Sequence, residues 1–311
     1  MKAKKQKINR DYVMRQLPLH LMLFFPCVIV LIYHYFPLVG VLMAFQNYTP
    51  TLKGFLPSLF SSKFVGLDIF RYIFLLPGTK QVFFNTVYIS LMKIIADLVF
   101  PVLFALMLNE VARGWFKKTV QTITFIPFFL SWVILAGILL DVFSPREGIV
   151  NQILVSFGLE PVYFFGSPAI FPYALVATNI WKEIGYNTII VLAAITGIDP
   201  TLYEAAIIDG AKRIKRTLYV TVPSITPIVL LLAILSLANV LNAGFDQVFN
   251  LYSPSVYATG DILDTYVYRL GLLQGQYSLA TAVGLLKSAV SFVLIAASYR
   301  IANKYSDYRI F

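Results

Sequence analysis

Long apolar stretches separated by short polar connections run through most of the chain. Six stretches are long and poor in charged residues, namely 19–45, 85–108, 120–143, 170–196, 220–244 and 279–301. A hydrocarbon layer of about 30 Å needs about 20 mostly apolar residues in helical form, because backbone polar groups in lipid must be satisfied within their own segment. The pattern therefore predicts six membrane-spanning helices, and the predicted fold class is an all-α polytopic membrane protein.

The composition supports a membrane protein. Hydrophobic residues make up 59% of the 311 residues and charged residues 13%, whereas an average soluble domain has about 25% charged residues. One soluble core cannot bury so much apolar surface. The single cysteine, Cys27, excludes an intrachain disulfide and a cysteine-based metal site. The two histidines, His20 and His34, lie in the first span without a nearby carboxylate, so a structural role is favoured for both.

The positions of lysine and arginine predict the orientation, because short loops rich in them stay on the cytoplasmic side. One set of connections and both tails contain Lys2, Lys4, Lys5, Lys7, Arg10, Arg15, Arg113, Lys117, Lys118, Lys212, Arg213, Lys215, Arg216, Arg300, Lys304 and Arg309. The opposite loops contain only Lys53, Lys63, Arg71, Lys80, Arg146 and Arg269. Both termini are therefore expected in the cytoplasm. The net charge of +10 is explained by topology, and a nucleic-acid partner is not expected.

Catalytic motifs are missing from the sequence. It contains no phosphate-binding GxxxxGK[ST], no HExxH and no GxSxG. The chain is therefore expected to be neither an enzyme nor a nucleotide-binding protein in its own right.

The connection between the fourth and fifth spans is unusually polar and has the marks of a short helix. Apolar residues recur at helical spacing after Pro200, and either Asp199 or Thr201 can cap the helix start. Gly210 is expected to end this helix, since glycine readily adopts the left-handed conformation. Two interpretations remain open, a tight cytoplasmic connector or a docking element whose acids face a partner protein.

The same connection contains the pattern EAAxxDGA followed by a proline. The matching residues are Glu204, Ala205, Ala206, Asp209, Gly210, Ala211 and Pro223. This pattern resembles the cytoplasmic coupling loop of permease subunits of binding-protein-dependent, type I ABC importers. The stretches 64–74, 125–134, 244–271 and 277–288 resemble the LplB-type polysaccharide and oligosaccharide permeases of the carbohydrate class, so the resemblance covers nearly the whole chain.

The resemblance implies a type I importer permease fold of six transmembrane helices with a cytoplasmic coupling helix. It also implies a heterodimer with a second permease, two ATPase subunits that bind ATP and Mg, an extracytoplasmic sugar-binding protein and an oligosaccharide substrate. The implied organisation is a basic tail at 1–16, a first helix and external loop at 17–79, a permease core at 80–303 with the coupling loop at 200–223, and a cytoplasmic tail at 304–311.

Charged residues inside spans are costly in lipid, so each predicts a partner or a function. Lys93 and Asp97 lie four residues apart on one helix face and are expected to pair. Lys182 and Glu183 are adjacent, point about 100° apart on a helix and are not expected to pair face to face, which favours a functional role. For Lys287 we expect snorkelling or a contact with another span.

Similarity to the larger permease of the maltose importer implies positions for sugar contacts. In the fourth span they fall on Asn179, Lys182, Glu183 and Tyr186, in the third on Phe128 and Trp132, and in the fifth on Asn239, Val240 and Ala243. Aromatic rings with amides suit sugars, whose ring faces are apolar and whose hydroxyls need hydrogen-bond partners. Ordinary helix packing remains an equal alternative for Phe128 and Trp132.

The charge of the substrate is a further hypothesis. A buried Lys182 ammonium needs an acceptor, and a uronate carboxylate passing through could supply it. The competing account is permanent neutralisation by Glu183 or by an acid of the second permease. We favour acidic oligosaccharides. The alternatives to an ABC permease are an ion-coupled secondary transporter of a small polar solute and a membrane scaffold, but no internal repeat of the secondary-transporter type is visible.

Overall fold

The computed structural model describes the backbone of residues 10–305 and the side chains of residues 16–300. Most of the two tails predicted to be cytoplasmic, including Lys2, Lys7 and Arg309, lie outside the described residues. Between them the chain is mostly helical, and the predicted all-α class is confirmed.

The first half of the described chain forms seven helices. They are α1 (Arg10–Val30), continued by a π turn (Leu31–Tyr35) and a 3₁₀ segment (Phe36–Phe45), α2 (Phe55–Ser61), α3 (Asp68–Leu75), α4 (Thr79–Asn109), α5 (Gly114–Phe125), continued by a 3₁₀ turn (Ile126–Phe129), α6 (Trp132–Val142) and α7 (Ile149–Ser156). Two short strands, β1 (Gln46–Asn47) and β2 (Lys63–Phe64), pair antiparallel and flank α2.

The second half continues with eight helices. They are α8 (Phe171–Thr196), α9 (Pro200–Ile208), α10 (Arg213–Arg216), continued by a π turn (Thr217–Thr221), α11 (Val222–Leu237), α12 (Phe245–Leu251), α13 (Tyr257–Gly260) after a 3₁₀ turn (Pro254–Val256), α14 (Leu263–Tyr268), continued by a π turn (Arg269–Leu273), and α15 (Tyr277–Tyr305).

Four continuous helical segments of the described chain are long and apolar enough to cross a membrane. They are Gln16–Phe45, Thr79–Asn109, Arg213–Leu237 and Tyr277–Arg300. Two further spans arise if each bent pair is counted as one, and these pairs are Gly114–Phe129 with Trp132–Val142 and Phe171–Thr196 with Pro200–Ile208. The six predicted spans each correspond to one of these segments, and the fourth, 170–196, corresponds to Phe171–Thr196 alone, so Pro200–Ile208 lies outside it.

The third predicted span, 120–143, was expected to be one continuous helix, and this is wrong. The chain bends by 105° between Phe129 and Trp132. Pro127 lies in the last 3₁₀ turn before the bend, where a proline removes a backbone donor and disfavours continuation of the helix. Ser131 then caps α6, because its side chain accepts a hydrogen bond from the Ile134 N–H at 3.4 Å.

The fifth predicted span, 220–244, also ends earlier than expected. Its helix α11 stops at Leu237, and the chain turns through 238–244 before α12 begins. Within the turn the N–H of Asn242 donates to the carbonyl of Asn239 at 2.8 Å, and Gly244 has a φ of +88°. Asparagine and glycine favour such turns, so the break is encoded locally despite the apolar residues around it. We call residues 238–244 the α11–α12 turn.

Three apolar clusters hold the spans together. One surrounds the fully buried ring of Phe171 between α6, α8 and α12, and a second lies between α14 and α15. A third packs the C-terminal halves of α4 and α8 against the start of α11. Polar residues of α4, α8 and the α11–α12 turn line a separate region, which includes four of the nine predicted pathway residues.

Candidate functional site

The predicted coupling helix forms as α9, and its ends follow the expected signals. The Asp199 side chain accepts a hydrogen bond from the Thr201 N–H at 2.9 Å. This bond holds the pKa of Asp199 below its ordinary value, since it stabilises the charged carboxylate. At the other end the Ala211 N–H donates to the Ala206 carbonyl at 2.9 Å while Gly210 has a φ of +76°. Asp199, and not Thr201, is therefore the cap, and Gly210 ends the helix as predicted.

The surface of α9 and its flanking turn combines exposed apolar side chains with the exposed carboxylates of Asp199, Glu204 and Asp209. Glu204 and Ala205 are exposed, whereas Ala206 and Ala211 are half-buried. The large exposed apolar side chains on this element are Leu202, Ile207, Ile208 and Ile214. Ile208 is 86% exposed, although apolar groups gain about 25 cal/mol per Å² when they are buried. The element is therefore suited to cover by another protein.

Two hydrogen bonds connect α9, the turn before α11 and the end of α4. The Tyr203 hydroxyl contacts Thr221 Oγ1 at 2.9 Å, which joins α9 to the turn that precedes α11. Thr217 Oγ1 donates to Glu110 Oε1 at 3.0 Å, next to the end of α4. The first bond therefore joins α9 to the helical segment that continues into α11, and the second joins that segment to the end of α4.

An aromatic stack forms where α5 ends against α8. The rings of Phe128 and Tyr186 are nearly parallel, with centroids 4.4 Å apart and planes 5° apart. Phe125 extends the stack, with its centroid 5.8 Å from that of Phe128. Tyr186 is 41% exposed, so the stack has an open edge. Trp132 begins α6 nearby and packs partly against the cluster around Phe171.

Lys182 is satisfied inside the protein. Its side chain is buried, and its ammonium donates to the Phe128 carbonyl at 2.7 Å. The Glu183 carboxylate lies 3.6 Å from the same ammonium, so the expectation that these neighbours do not pair is wrong. Long side chains can bend toward each other even when their Cβ atoms diverge. The ammonium also lies 5.1 Å from the Phe128 ring centroid and 5.7 Å from that of Trp132, within cation–π range.

The predicted pair of Lys93 and Asp97 does not form. The Asp97 carboxylate accepts two hydrogen bonds from the Asn179 side-chain amide, at 3.1 and 3.0 Å. The Lys93 ammonium donates to the Ala243 carbonyl at 2.6 Å and to Gln247 Oε1. The break after α11 creates this free carbonyl, so both partners of Lys93 come from distant parts of the sequence. The ion pairs among the described residues do not include one between Lys93 and Asp97.

Lys287 makes a contact with another element. Its ammonium pairs with the Asp264 carboxylate of α14, a short helix outside the six spans, so the expected contact with another span is not the one that forms. Both side chains remain partly exposed.

Two adjacent cavities lie between α4, α8 and α11. Their volumes are about 340 Å³ and 270 Å³, and both are lined by Asp97, Asn179 and Ser236. Glu183 lines the larger cavity, and Asn239 and Ala243 line the smaller one. We call the smaller one the polar chamber.

The predicted pathway residues thus form two neighbouring groups. Phe128, Trp132, Lys182 and Tyr186 belong to the aromatic stack, and Asn179, Glu183, Asn239 and Ala243 line the cavities. Val240 instead packs against the cluster between α14 and α15. Sequence reasoning missed Ser90, Asn187, Ser236 and Asn242, which line the cavities. Their only signal was polarity within or beside an apolar stretch.

Residues 97–310 match the family model described as "Binding-protein-dependent transport system inner membrane component". The chain is 37% identical over 310 residues to the polygalacturonan/rhamnogalacturonan transport system permease protein YteP of Bacillus subtilis, with 99% of this chain and 95% of that protein covered. It is 38% identical over 281 residues to Protein LplB of the same organism, with 90% and 87% covered.

A solved structure has the same fold. A chain of a bacterial ABC transporter involved in the import of the acidic polysaccharide alginate superposes with a TM-score of 0.85 at 34% identity, covering 95% of this chain and 98% of that chain. A second crystal structure, of a bacterial alginate ABC transporter in complex with an alginate pentasaccharide-bound periplasmic protein, superposes with the same TM-score.

Proposed function

Because the chain belongs to the family of binding-protein-dependent transport system inner membrane components, we propose that it imports oligosaccharides rich in uronic acids. In this proposal it forms the translocation path together with a second permease subunit. An extracytoplasmic binding protein delivers the substrate, and two separate ATPase subunits bind ATP and Mg and dock on α9. Family membership argues against the ion-coupled transporter and the scaffold considered above.

The observation that best supports the substrate class is the chemistry named for two similar proteins. Polygalacturonan and alginate are both polymers of uronic acids, and the relatives that handle them match this chain over nearly its full length. The two assignments come from independent comparisons, one of sequences and one of structures.

The geometry of the site suits an oligosaccharide. The exposed part of Tyr186, which stacks on Phe128, offers aromatic surface to a sugar ring. The neighbouring cavities offer amide and carboxylate groups to its hydroxyls. The Lys182 ammonium already has partners within the protein, so we assign it the role of holding the stack against α8. This role favours neutralisation of Lys182 by Glu183 over neutralisation by a substrate carboxylate.

The first prediction tests the substrate class. The complex assembled with its second permease, ATPases and binding protein in proteoliposomes is expected to take up a galacturonate tetramer in an ATP-dependent manner. Uptake of an uncharged galactose tetramer should be at least about tenfold lower, since one hydrogen bond to a charged group contributes about 1.5–3 kcal/mol. ATP-dependent uptake of the neutral tetramer alone would contradict the uronate class and leave the importer class intact.

The second prediction tests the proposed orientation, with α9 and both termini in the cytoplasm. A reporter active only in the cytoplasm should be active when fused after Phe311 or inserted at Arg213. It should be silent when inserted after Lys53, in the exposed loop between β1 and α2. Reporter activity with the reverse pattern would show that the lysine and arginine distribution was misread.

A further inference from the structure

The polar chamber contains a buried hydroxyl without a partner. Ser90 of α4 is 1% exposed and lines the chamber, and its Oγ has no hydrogen-bond partner within the part of the chain that the structure describes. A hydroxyl in a helix commonly donates to the carbonyl four residues earlier. Thr86, one turn before Ser90, does so with the Val82 carbonyl at 2.7 Å. A buried polar group without a partner is unfavourable, which points to a ligand as the missing partner of Ser90.

The same chamber is lined by a buried ammonium with spare capacity. Lys93 lies one turn after Ser90 on α4, and its side chain lines the chamber. Its ammonium donates two hydrogen bonds, to the Ala243 carbonyl and to Gln247 Oε1. An ammonium has three donors, so one remains available. Both hydrogen-bond partners are neutral, and the nearby carboxylates of Asp97 and Glu183 act on Lys93 at a distance without forming an ion pair with it.

The groups opposite Ser90 and Lys93 suit sugar hydroxyls. Asn239 and Asn242 of the α11–α12 turn are exposed and line the chamber. The one carboxylate in the lining is that of Asp97, and it accepts both hydrogen bonds of the Asn179 amide. Because the Asp97 carboxylate is bound by Asn179, it forms no ion pair with Lys93, and it can still accept hydrogen bonds from ring hydroxyls.

From this arrangement we propose that the polar chamber is a subsite for one uronate residue of the substrate, with Lys93 and Ser90 binding its carboxylate. In this subsite the amides of Asn239 and Asn242 and the carboxylate of Asp97 bind the ring hydroxyls. The subsite rests on the proposed function and deepens it, because it assigns the recognition of charge to α4. Lys182, by contrast, recognises no substrate charge.

The test measures half-saturating concentrations for uptake of the galacturonate tetramer and the galactose tetramer in the proteoliposome system. Ser90→Ala removes a hydroxyl without an internal partner, and it should raise the value for galacturonate about threefold to tenfold. Lys93→Gln should raise it by about tenfold or more, whereas Lys93→Arg, which keeps the charge, should retain most of the preference. The value for the galactose tetramer should change by less than about twofold in each variant.

Matched controls separate the subsite from general damage. Ser288→Ala removes an exposed hydroxyl from α15, and Lys118→Gln removes an exposed ammonium from α5, so both should behave as the unchanged protein. Lys182→Met should weaken uptake of both tetramers by the same factor. The ratio of the half-saturating concentrations for the galacturonate and galactose tetramers does not depend on how much protein folds. It therefore remains informative if Lys93→Gln lowers the yield.

The outcomes distinguish the subsite from the proposed function. If the unchanged complex imports neither tetramer, both are overturned. If it imports galacturonate but neither Ser90→Ala nor Lys93→Gln changes the ratio, the subsite is wrong and the proposed function stands. A ratio that changes in Lys182→Met and not in Lys93→Gln would also overturn the subsite, because the charge would then be recognised at the aromatic stack.

Discussion

Replacing Gly210 with valine is expected to reduce substrate-stimulated ATP hydrolysis by the assembled complex to its basal rate. Gly210 has a φ of +76°, and a β-carbon built at this position meets no atom within 4 Å. The effect is therefore purely conformational, since a non-glycine residue in left-handed geometry costs about 1–2 kcal/mol and a β-branched residue is a genuine outlier there. The strain should unwind the end of α9 and misplace its exposed apolar surface. ATP hydrolysis with and without loaded binding protein is the measurement.

Two substitutions on the side proposed to be cytoplasmic serve as controls. Gly114→Val introduces the same side chain at a glycine that also has open space around it but no positive φ, so stimulation should persist. Lys212→Gln removes an exposed charge, and exposed ion pairs contribute only about 0–1 kcal/mol, so stimulation should change by less than about fivefold. Normal stimulation in Gly210→Val would show that α9 is not the docking element.

Charge reversal provides an independent test of the same surface. Glu204→Lys leaves the backbone of α9 free of strain and reverses an exposed charge. We propose that Glu204 faces a basic residue of the ATPase, so a lysine at this position would place like charges opposite each other, and the variant should lose stimulation while remaining inserted in the membrane. Retention of stimulation here, together with its loss in Gly210→Val, would assign docking to the shape and apolar residues of α9 alone.

Features that depend on neighbouring residues were predictable from the sequence. A capped helix start at Asp199 or Thr201, the helix end at Gly210 and the approximate positions of the six spans follow from short-range signals, and the structure has the cap at Asp199, the left-handed Gly210 and a segment for each span. A helix cap and a left-handed glycine involve residues within one or two turns of each other. Neither needs knowledge of the tertiary fold.

Features that depend on distant partners were not predictable. The carbonyl that accepts from Lys93 lies 150 residues further along the chain. This carbonyl is available only because α11 stops at Leu237 and the chain turns before α12. A spacing of four made Asp97 the obvious partner of Lys93, but the Asn179 amide of α8 binds Asp97 instead. Local spacing therefore identified the charged residues correctly and assigned their partners wrongly.

The contact between α8 and α5 depends on a glycine that the sequence did not distinguish from others. A β-carbon built on Gly185 would lie 2.2 Å from the Thr124 carbonyl oxygen and 2.7 Å from the Phe125 Cα. Both are backbone atoms, so no side chain can rotate away to make room. Gly185 precedes Tyr186 in α8, and Phe125 precedes the turn that contains Phe128, so this contact sets the distance between the two rings of the stack.

Gly185→Ala is therefore expected to force α8 away from α5, to lower the thermal stability of the solubilised complex and to reduce uptake of every substrate. Overpacking a well-packed contact costs about 1–3 kcal/mol. Gly137→Ala is the matched control, since its added β-carbon meets no atom within 4 Å in the middle of α6. Alanine is favoured over glycine in a helix by about 1 kcal/mol, so the control should be neutral or stabilising. Thermal unfolding of the two variants compares them directly. Equal stability of both would mean that α8 can adjust to the added methyl group, and that the close backbone contact does not determine the geometry of the stack.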